Sequence, residues 1–179
     1  SYEGERVIWR GPSIQYKLTG IPRGKPSWRL SLDMAPNELE ANESSELMGI
    51  EDRDFSLLAG VRYIYPTQYG ELSAVLQTAV SNKHSGQRAA INFERVLFQH
   101  QERHWALTAG IQMEYLSDRY ADYYFGVSAP EAAASNYAEY QVNAVWQGGI
   151  TFGGYYQFTE NWQGIIQTRY LRLADEVTN

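Results

Sequence analysis

The sequence contains no cysteine, only three histidines and no long apolar run. The lack of cysteine excludes disulfides, thiolate nucleophiles and cysteine-based zinc or iron–sulfur sites. A membrane-spanning helix needs about 20 consecutive apolar residues, and no window of this chain approaches that length. A membrane β-strand needs only about 9–11 residues, half of them polar. The composition therefore excludes a helical membrane protein but leaves a membrane barrel open.

The chain also lacks an excess of basic residues. Its formal net charge is −6, so the composition does not indicate a basic surface that would bind nucleic acid. The 179 residues suffice for one sizeable domain, and no linker or change of composition divides them. The chain begins at Ser1 without a methionine and ends in "ADEVTN". We expect a single β-barrel domain over 1–179, a fragment of a longer mature protein from which a signal peptide has been removed.

What the sequence does contain is aromatic residues in alternating patterns, with 14 Tyr, 5 Trp and 6 Phe. The clearest pattern is Ser27–Met34, where Trp28, Leu30, Leu32 and Met34 alternate with Ser27, Arg29, Ser31 and Asp33. An alternation with period two predicts a β-strand with one apolar and one polar face. Eight segments show it: 6–18, 27–34, 55–65, 71–81, 88–98, 105–115, 146–158 and 162–173.

The connections between these segments differ systematically in length. Short connections are predicted at 19–26, 66–70, 100–103 and 159–161, and longer ones at 35–53, 82–87 and 117–141. Long connections at one end and short ones at the other are typical of an up-and-down antiparallel barrel. We therefore predict an all-β fold, an antiparallel up-and-down transmembrane β-barrel with about eight strands in this chain.

The direction of the apolar face separates a membrane barrel from a soluble one. Aromatic residues lie near the ends of the apolar rows, as they do in the girdles of membrane barrels. The polar rows contain Arg, Asp, Gln and Glu, which suit a polar interior better than a dry core. These features favour an outer-membrane barrel. A soluble ligand-binding barrel stays open, and it predicts Trp28, Leu30 and Leu32 inside with Arg29 and Asp33 in water.

The sequence offers only weak matches to catalytic or metal-binding motifs. "HQERH" (100–104) resembles a zinc motif, but its Glu102 has the wrong spacing and the segment is predicted as a turn rather than a helix. His84 is predicted in a loop. The acidic connection lacks the order of a calcium loop, and we interpret it as solvated; its carboxylates are Glu38, Glu40, Glu43, Glu46, Glu51, Asp52 and Asp54. We predict no catalytic residues, no cofactor and no metal, and hence no enzyme.

The longest connection, "SDRYADYYFGVSAPEAAAS" from 117 to 135, is rich in tyrosine, turn-forming residues and alanine. We interpret it as a partly structured loop in which residues 130–135 could form one helical turn. Its aromatic side chains either pack on one another over the barrel mouth or contact a partner or ligand. The candidate contact residues are Tyr120, Tyr123, Tyr124 and Phe125.

Several motifs resemble the MipA/OmpV family of Gram-negative outer-membrane proteins. They are "YYFGVS" at 123–128 followed by Glu131 and Ala132, "YEG" at 2–4, "TQYGEL" at 67–72 and "TRYLRLADEVTN" at 168–179. They occur in the family's order over nearly the whole chain. Family members continue at both ends, so the resemblance implies that this fragment lacks an N-terminal portion and the closing strand of a barrel of about 10–12 strands.

The resemblance implies a location in the outer membrane, in contact with its lipid. It also implies a role as a scaffold that joins a lytic murein transglycosylase to a bifunctional penicillin-binding protein, coupling wall cleavage to synthesis. Other members of the family are discussed as porin-like proteins. A small-solute channel is therefore an alternative function, and no binding residues of the family are carried over to this chain.

Overall fold

The computed structural model describes residues 1–18, 24–35, 47–100 and 104–173. Ten antiparallel strands form one sheet in which each strand pairs with the next along the chain, so the predicted up-and-down barrel is confirmed. The strands are β1 (Tyr2–Glu3), β2 (Val7–Arg10), β3 (Ser13–Lys17), β4 (Ser27–Met34), β5 (Leu57–Thr67), β6 (Gly70–Ala79), β7 (Gln87–His100), β8 (Trp105–Leu116), β9 (Val145–Gln157) and β10 (Gln163–Leu173). Two helices, α1 (Asp118–Phe125) and α2 (Ala129–Ala134), interrupt the connection between β8 and β9.

The number of strands differs from the predicted eight. The segment 6–18, predicted as one strand, is a hairpin because Gly11 has a φ of +56° and turns the chain between β2 and β3. Glycine adopts this left-handed conformation without steric cost, and Pro12 follows it. The two-residue strand β1 is the other addition. It is too short for any alternation to be visible in the sequence.

The strands are strongly staggered, which lets the sheet curl almost into a closed barrel. A row of paired residues that starts at Lys17, at one end of β3, runs through Arg29, Arg62 and Glu114 and ends at Leu173, at the opposite end of β10. The first and last strands meet at one end, where Tyr2 bridges Trp162. The Glu3 N–H donates to the Asn161 carbonyl oxygen at 2.9 Å.

The apolar rows face outward and the polar rows face inward. In β4, Trp28, Leu30 and Leu32 are exposed, whereas Ser31 and Asp33 are buried. Strands β8 and β9 repeat this arrangement with exposed Leu107, Ile111, Ile150 and Phe152 and with buried Gln112, Glu114 and Thr151. The alternative of a soluble ligand-binding barrel is therefore wrong, because it requires the opposite orientation.

Polar side chains in the interior form hydrogen bonds with one another around two carboxylates. Asp33 accepts hydrogen bonds from Gln77 at 2.6 Å and from Arg62 at 3.2 Å. Glu114 accepts from Gln112 at 3.3 Å, and also from Gln147 and Arg88. Arg88 Nη1 donates to the side-chain oxygen Oε1 of Gln77 at 3.1 Å and so links the two carboxylate groups. These side chains belong to strands β4 to β9, and together they form an interior network that spans six of the ten described strands.

The connections show the predicted asymmetry. Short turns, among them 68–69 and 158–162, lie at the end where β5 and β9 finish. The described parts of the longer connections, 47–56, 80–86 and 117–144, lie at the other end, which we call the long-loop end. Both helices lie in the connection between β8 and β9. Neither described helix has the length and apolar composition required to cross a membrane.

The interior network predicts that Glu114→Ala destabilises the barrel. Glu114 is buried, and its loss leaves Arg88 without its counter-charge inside the barrel. Removing one partner of a buried ion pair typically costs about 3–5 kcal/mol. We expect the free energy of unfolding to fall by about 3 kcal/mol, measured by urea titration of the protein in detergent. Glu139→Ala removes one exposed carboxylate and serves as the control; an equal loss in both variants would contradict the prediction.

Candidate functional site

The long-loop end of the barrel is covered by three connections that pack together. We call the described part of them, residues 47–56, 80–86 and 117–144, the cap. Helix α1 buries Tyr120, Ala121 and Tyr124 along one face. That face belongs to a core cluster that also contains Leu58 and Leu116 from strands β5 and β8. The cap is therefore anchored to the ends of the strands by apolar packing.

A buried ion pair joins two connections of the cap. Arg53 Nη2 donates to Glu131 Oε1 at 2.7 Å and to the Gly126 carbonyl oxygen at 3.3 Å. Glu131 Oε1 also accepts the Glu51 N–H at 3.0 Å. Its other oxygen accepts the Ser128 N–H at 2.8 Å and the Ser128 hydroxyl at 2.7 Å, which closes the capping box of α2.

These hydrogen bonds keep Glu131 ionised although it is buried. Burial alone would raise the pKa of the carboxyl group. The bonds from Ser128, the Glu51 N–H and Arg53 outweigh that effect and lower the pKa to about 2. The capping-box spacing of Ser128 and Glu131 is visible in the sequence, but the long-range partner Arg53, which is 78 residues away, is not.

His84 connects the segment 80–86 to the other two segments of the cap. Its Nδ1 accepts the Gly86 N–H at 3.0 Å, so the proton of the neutral ring lies on Nε2. Nε2 lies 3.0 Å from Ser56 Oγ, and Ser56 Oγ lies 2.8 Å from the Tyr124 hydroxyl. The ring packs between the aromatic side chains of α1, with centroids 4.9 Å from Tyr123 and 5.1 Å from Tyr120. Burial lowers the pKa of His84 and so favours the neutral ring.

The contact between Ser56 and His84 resembles part of a hydrolase site, but its hydrogen bonding does not suit nucleophilic catalysis. A general base needs a free lone pair on the nitrogen that faces the serine. Here the Gly86 N–H occupies the Nδ1 lone pair, and Nε2 carries the proton. Ser56 is also fully buried. The sequence does not reveal this pair because the two residues are 28 positions apart in loops.

The other candidates from the sequence are only partly described. In "HQERH", His100 ends β7 and His104 lies in the following turn, while Glu102 lies outside the described residues. Glu38, Glu40, Glu43 and Glu46 also lie outside them, whereas Glu51, Asp52 and Asp54 are exposed. Asp54 pairs with Lys83. Within the described ranges, no group of three His, Asp or Glu residues could hold a metal ion.

The four aromatic candidates of the long connection have different surroundings. Tyr120 and Tyr124 are only 2% and 8% exposed and belong to the core of the cap. Tyr123 is half-buried and lies under the guanidinium of Arg53, with 5.9 Å from that group to the ring centroid. Phe125 is 42% exposed. A contact with a partner through these residues stays a prediction, and Phe125 is the best placed of the four.

Helix α1 is a feature that the sequence interpretation missed. Residues 118–125 contain three tyrosines, which favour strands. The signal for a helix is the spacing of Tyr120, Ala121 and Tyr124, which places all three on one face. The expected helical turn at 130–135 is present as α2, shifted by one residue.

Comparisons with known proteins agree with this architecture. The model of the MipA family, described as "MltA-interacting protein MipA", matches residues 1–179. The "MltA-interacting protein" of Escherichia coli K12 is 29% identical over 182 residues, which cover the whole chain and 71% of that protein. The "Putative outer membrane protein YiaT" of the same strain is 22% identical and is covered to 72%. No solved structure matches the chain significantly.

The hydrogen bonds to Glu131 predict that the cap loosens in acid. A carboxyl group whose folded pKa lies below its ordinary value stabilises the fold above about pH 4.5, and this stabilisation is lost as the pH falls toward about 2. The shift corresponds to about 3 kcal/mol. We expect the hydrogen-exchange protection of the Glu51 and Ser128 amides, corrected for intrinsic rates, to decrease between pH 5 and pH 3.

The variant Glu131→Gln tests the cause of this loosening. It removes the titrating group, so protection is expected to be low already at pH 6 and to change little down to pH 3. The exposed Glu139→Gln is the matched control and is expected to behave like the wild type. Protection in Glu131→Gln equal to that of the wild type at pH 6 would contradict the assignment.

Proposed function

This chain belongs to the MipA family, and we propose that it is a non-enzymatic outer-membrane β-barrel that acts as a scaffold for murein enzymes. Its partners under this proposal are a lytic transglycosylase and a bifunctional penicillin-binding protein. Lipid of the outer membrane surrounds the barrel. The observation that carries the proposal is the match of the whole chain to a relative named for its interaction with MltA.

The outward face supports a position in a membrane. Exposed apolar side chains cover the described strands, whereas charged and amide side chains are turned inward. Aromatic pairs lie toward the ends of neighbouring strands, as in an interfacial girdle. Ring centroids are 4.8 Å apart for Trp28 and Tyr63, and 5.1 Å apart for Tyr115 and Trp146. In water such a surface would cause aggregation, because it far exceeds an ordinary exposed apolar patch.

The arrangement of the connections supports an orientation. In outer-membrane barrels the short turns face the periplasm and the longer loops face outward. Murein lies in the periplasm, so a scaffold must use the short-turn end. The cap, with Phe125, then lies on the opposite side. The short-turn end exposes large aromatic side chains, including Tyr69 at 63% and Phe158 at 66%, and aromatic residues are frequent hot spots of protein interfaces.

A binding experiment tests the scaffold. The protein, purified in detergent and immobilised, is expected to retain a lytic transglycosylase from solution. Tyr69→Ser combined with Phe158→Ser removes two exposed aromatic rings from the short-turn end. We expect the affinity for the transglycosylase to fall at least about thirtyfold, since the loss of each of two hot-spot side chains costs more than about 1 kcal/mol.

The matched control removes two aromatic rings from the other end, with Phe125→Ser and Tyr137→Ser in the cap. This variant is expected to retain the enzyme as the wild type does. No retention by the wild type, in an assay where the transglycosylase binds murein, would refute the scaffold. Equal losses in both variants would refute its assignment to the short-turn end.

A small-solute channel is the second candidate, and the polar inward row is the observation that favours it. The interior network and the cap oppose it, because they place hydrogen-bonded side chains inside the barrel and across one end. We expect planar bilayers containing the protein to show no steady conductance. Stable single-channel steps from the wild type would instead support the channel.

A further inference from the structure

We propose that the exposed side of the cap is a docking surface for a basic amphipathic polypeptide. The surface lies at the opposite end of the barrel from the enzyme contact proposed above. It can therefore be occupied whether or not the protein is a scaffold. Three properties of the cap carry the inference: exposed aromatic side chains, a rigid foundation and a strong excess of negative charge.

The aromatic side chains belong to one packed unit. Val127 and Tyr140 form an antiparallel bridge with N–H···O distances of 2.8 and 3.0 Å, so Tyr140 lies beside the segment that follows Phe125. Gly49, at a φ of +92°, lies so close to the Ala134 carbonyl oxygen that a methyl group there would overlap it. This contact places Met48 at the end of α2. The exposed large apolar residues of the cap are Met48, Phe55, Phe125, Tyr137 and Tyr140.

Helix α2 presents small side chains at the exposed side of the cap. The exposed residues of α2 include Pro130, Ala133 and Ala134, which carry small side chains. Under them lies the buried ion pair of Arg53 and Glu131, which joins α2 to the segment before β5. A surface held in this way loses little conformational entropy when a partner binds, which favours affinity.

The charge of the cap selects the kind of partner. The described part of the cap, residues 47–56, 80–86 and 117–144, contains seven acidic and three basic residues. Two of the three basic residues are already paired, Arg53 with Glu131 and Lys83 with Asp54. The third, Arg119, donates to Ser85 at 3.0 Å. The described cap thus carries an excess of four negative charges in 45 residues, whereas the net charge of all 179 residues is −6.

A ligand for this surface must offer apolar side chains for the aromatic patch and positive charge for the acidic residues around it. Anionic lipids and sugar phosphates meet repulsion between like charges, which steers them away. An uncharged apolar ligand would gain no electrostatic attraction from the acidic residues. A polypeptide that carries lysine or arginine on one face and leucine on the other satisfies both requirements.

The test uses two synthetic peptides and the whole protein in zwitterionic lipid nanodiscs. One peptide carries leucine at helical spacing with lysine elsewhere, and the other has glutamate in place of each lysine. Binding is measured by fluorescence anisotropy, with empty nanodiscs as the background. We expect the lysine peptide to bind, the glutamate peptide not to bind, and the affinity for the lysine peptide to weaken with salt.

Variants locate the binding. The double variant Phe125→Ser, Tyr137→Ser is expected to lower the affinity for the lysine peptide about tenfold. The double variant Glu51→Gln, Glu139→Gln is expected to lower it about threefold. Tyr69→Ser, which removes an exposed ring at the short-turn end, is expected to change nothing. Equal binding of both peptides, or wild-type affinity in the Phe125 and Tyr137 variant, would overturn the proposal. So would a wild-type dimer that becomes a monomer in this variant, since the surface would then bind a second copy of the chain.

Discussion

The structure depends on one constraint, which is that polar groups enclosed by the barrel must find partners inside it. The outward face of this barrel is apolar, so its charged and amide side chains are turned inward. An unpaired charge in such a place would cost several kcal/mol. The chain meets most of this demand by sharing two carboxylates among several strands, while the buried Arg62 Nε has no hydrogen-bond partner among the described residues. Asp33 accepts hydrogen bonds from Gln77 and Arg62. Glu114 accepts hydrogen bonds from Arg88 and from two glutamines.

The same constraint shapes the cap. A connection that folds over a barrel end buries backbone N–H groups, which need acceptors. Glu131 supplies them for the Glu51 and Ser128 amides while Arg53 neutralises its charge. His84 Nδ1 accepts a third N–H, that of Gly86, and its Nε2–H donates a hydrogen bond to Ser56 Oγ. Polar side chains thus fix how the three connections join, and the tyrosines of α1 fill the space between them.

The repetitive part of this fold could be predicted from the sequence, and the unique part could not. Alternation along 27–34 and 105–115 shows the strands and their outward faces because each pattern is local. The asymmetry of the connections is equally visible. The contacts of Arg53 with Glu131 and of Ser56 with His84 join loops that are distant in sequence and show no periodicity. Helix α1 was missed because its tyrosines favour strands locally, while packing against Leu58 and Leu116 decides its conformation.

The two ends of the barrel therefore have different physical characters. One end consists of tight turns that carry exposed aromatic residues, such as Tyr69. Hydrogen bonds hold these turns; the Thr67 hydroxyl, for example, accepts the Tyr69 N–H at 3.1 Å. The other end is a folded, acidic unit whose small apolar core is shared with the ends of strands β5, β8 and β9. A barrel needs only turns to connect its strands, so barrel closure does not explain a cap with helices, a buried ion pair and an excess of carboxylates. Long loops in a rigid scaffold are where binding functions tend to lie. The cap is therefore the part of this chain whose structure exceeds what connecting the strands requires.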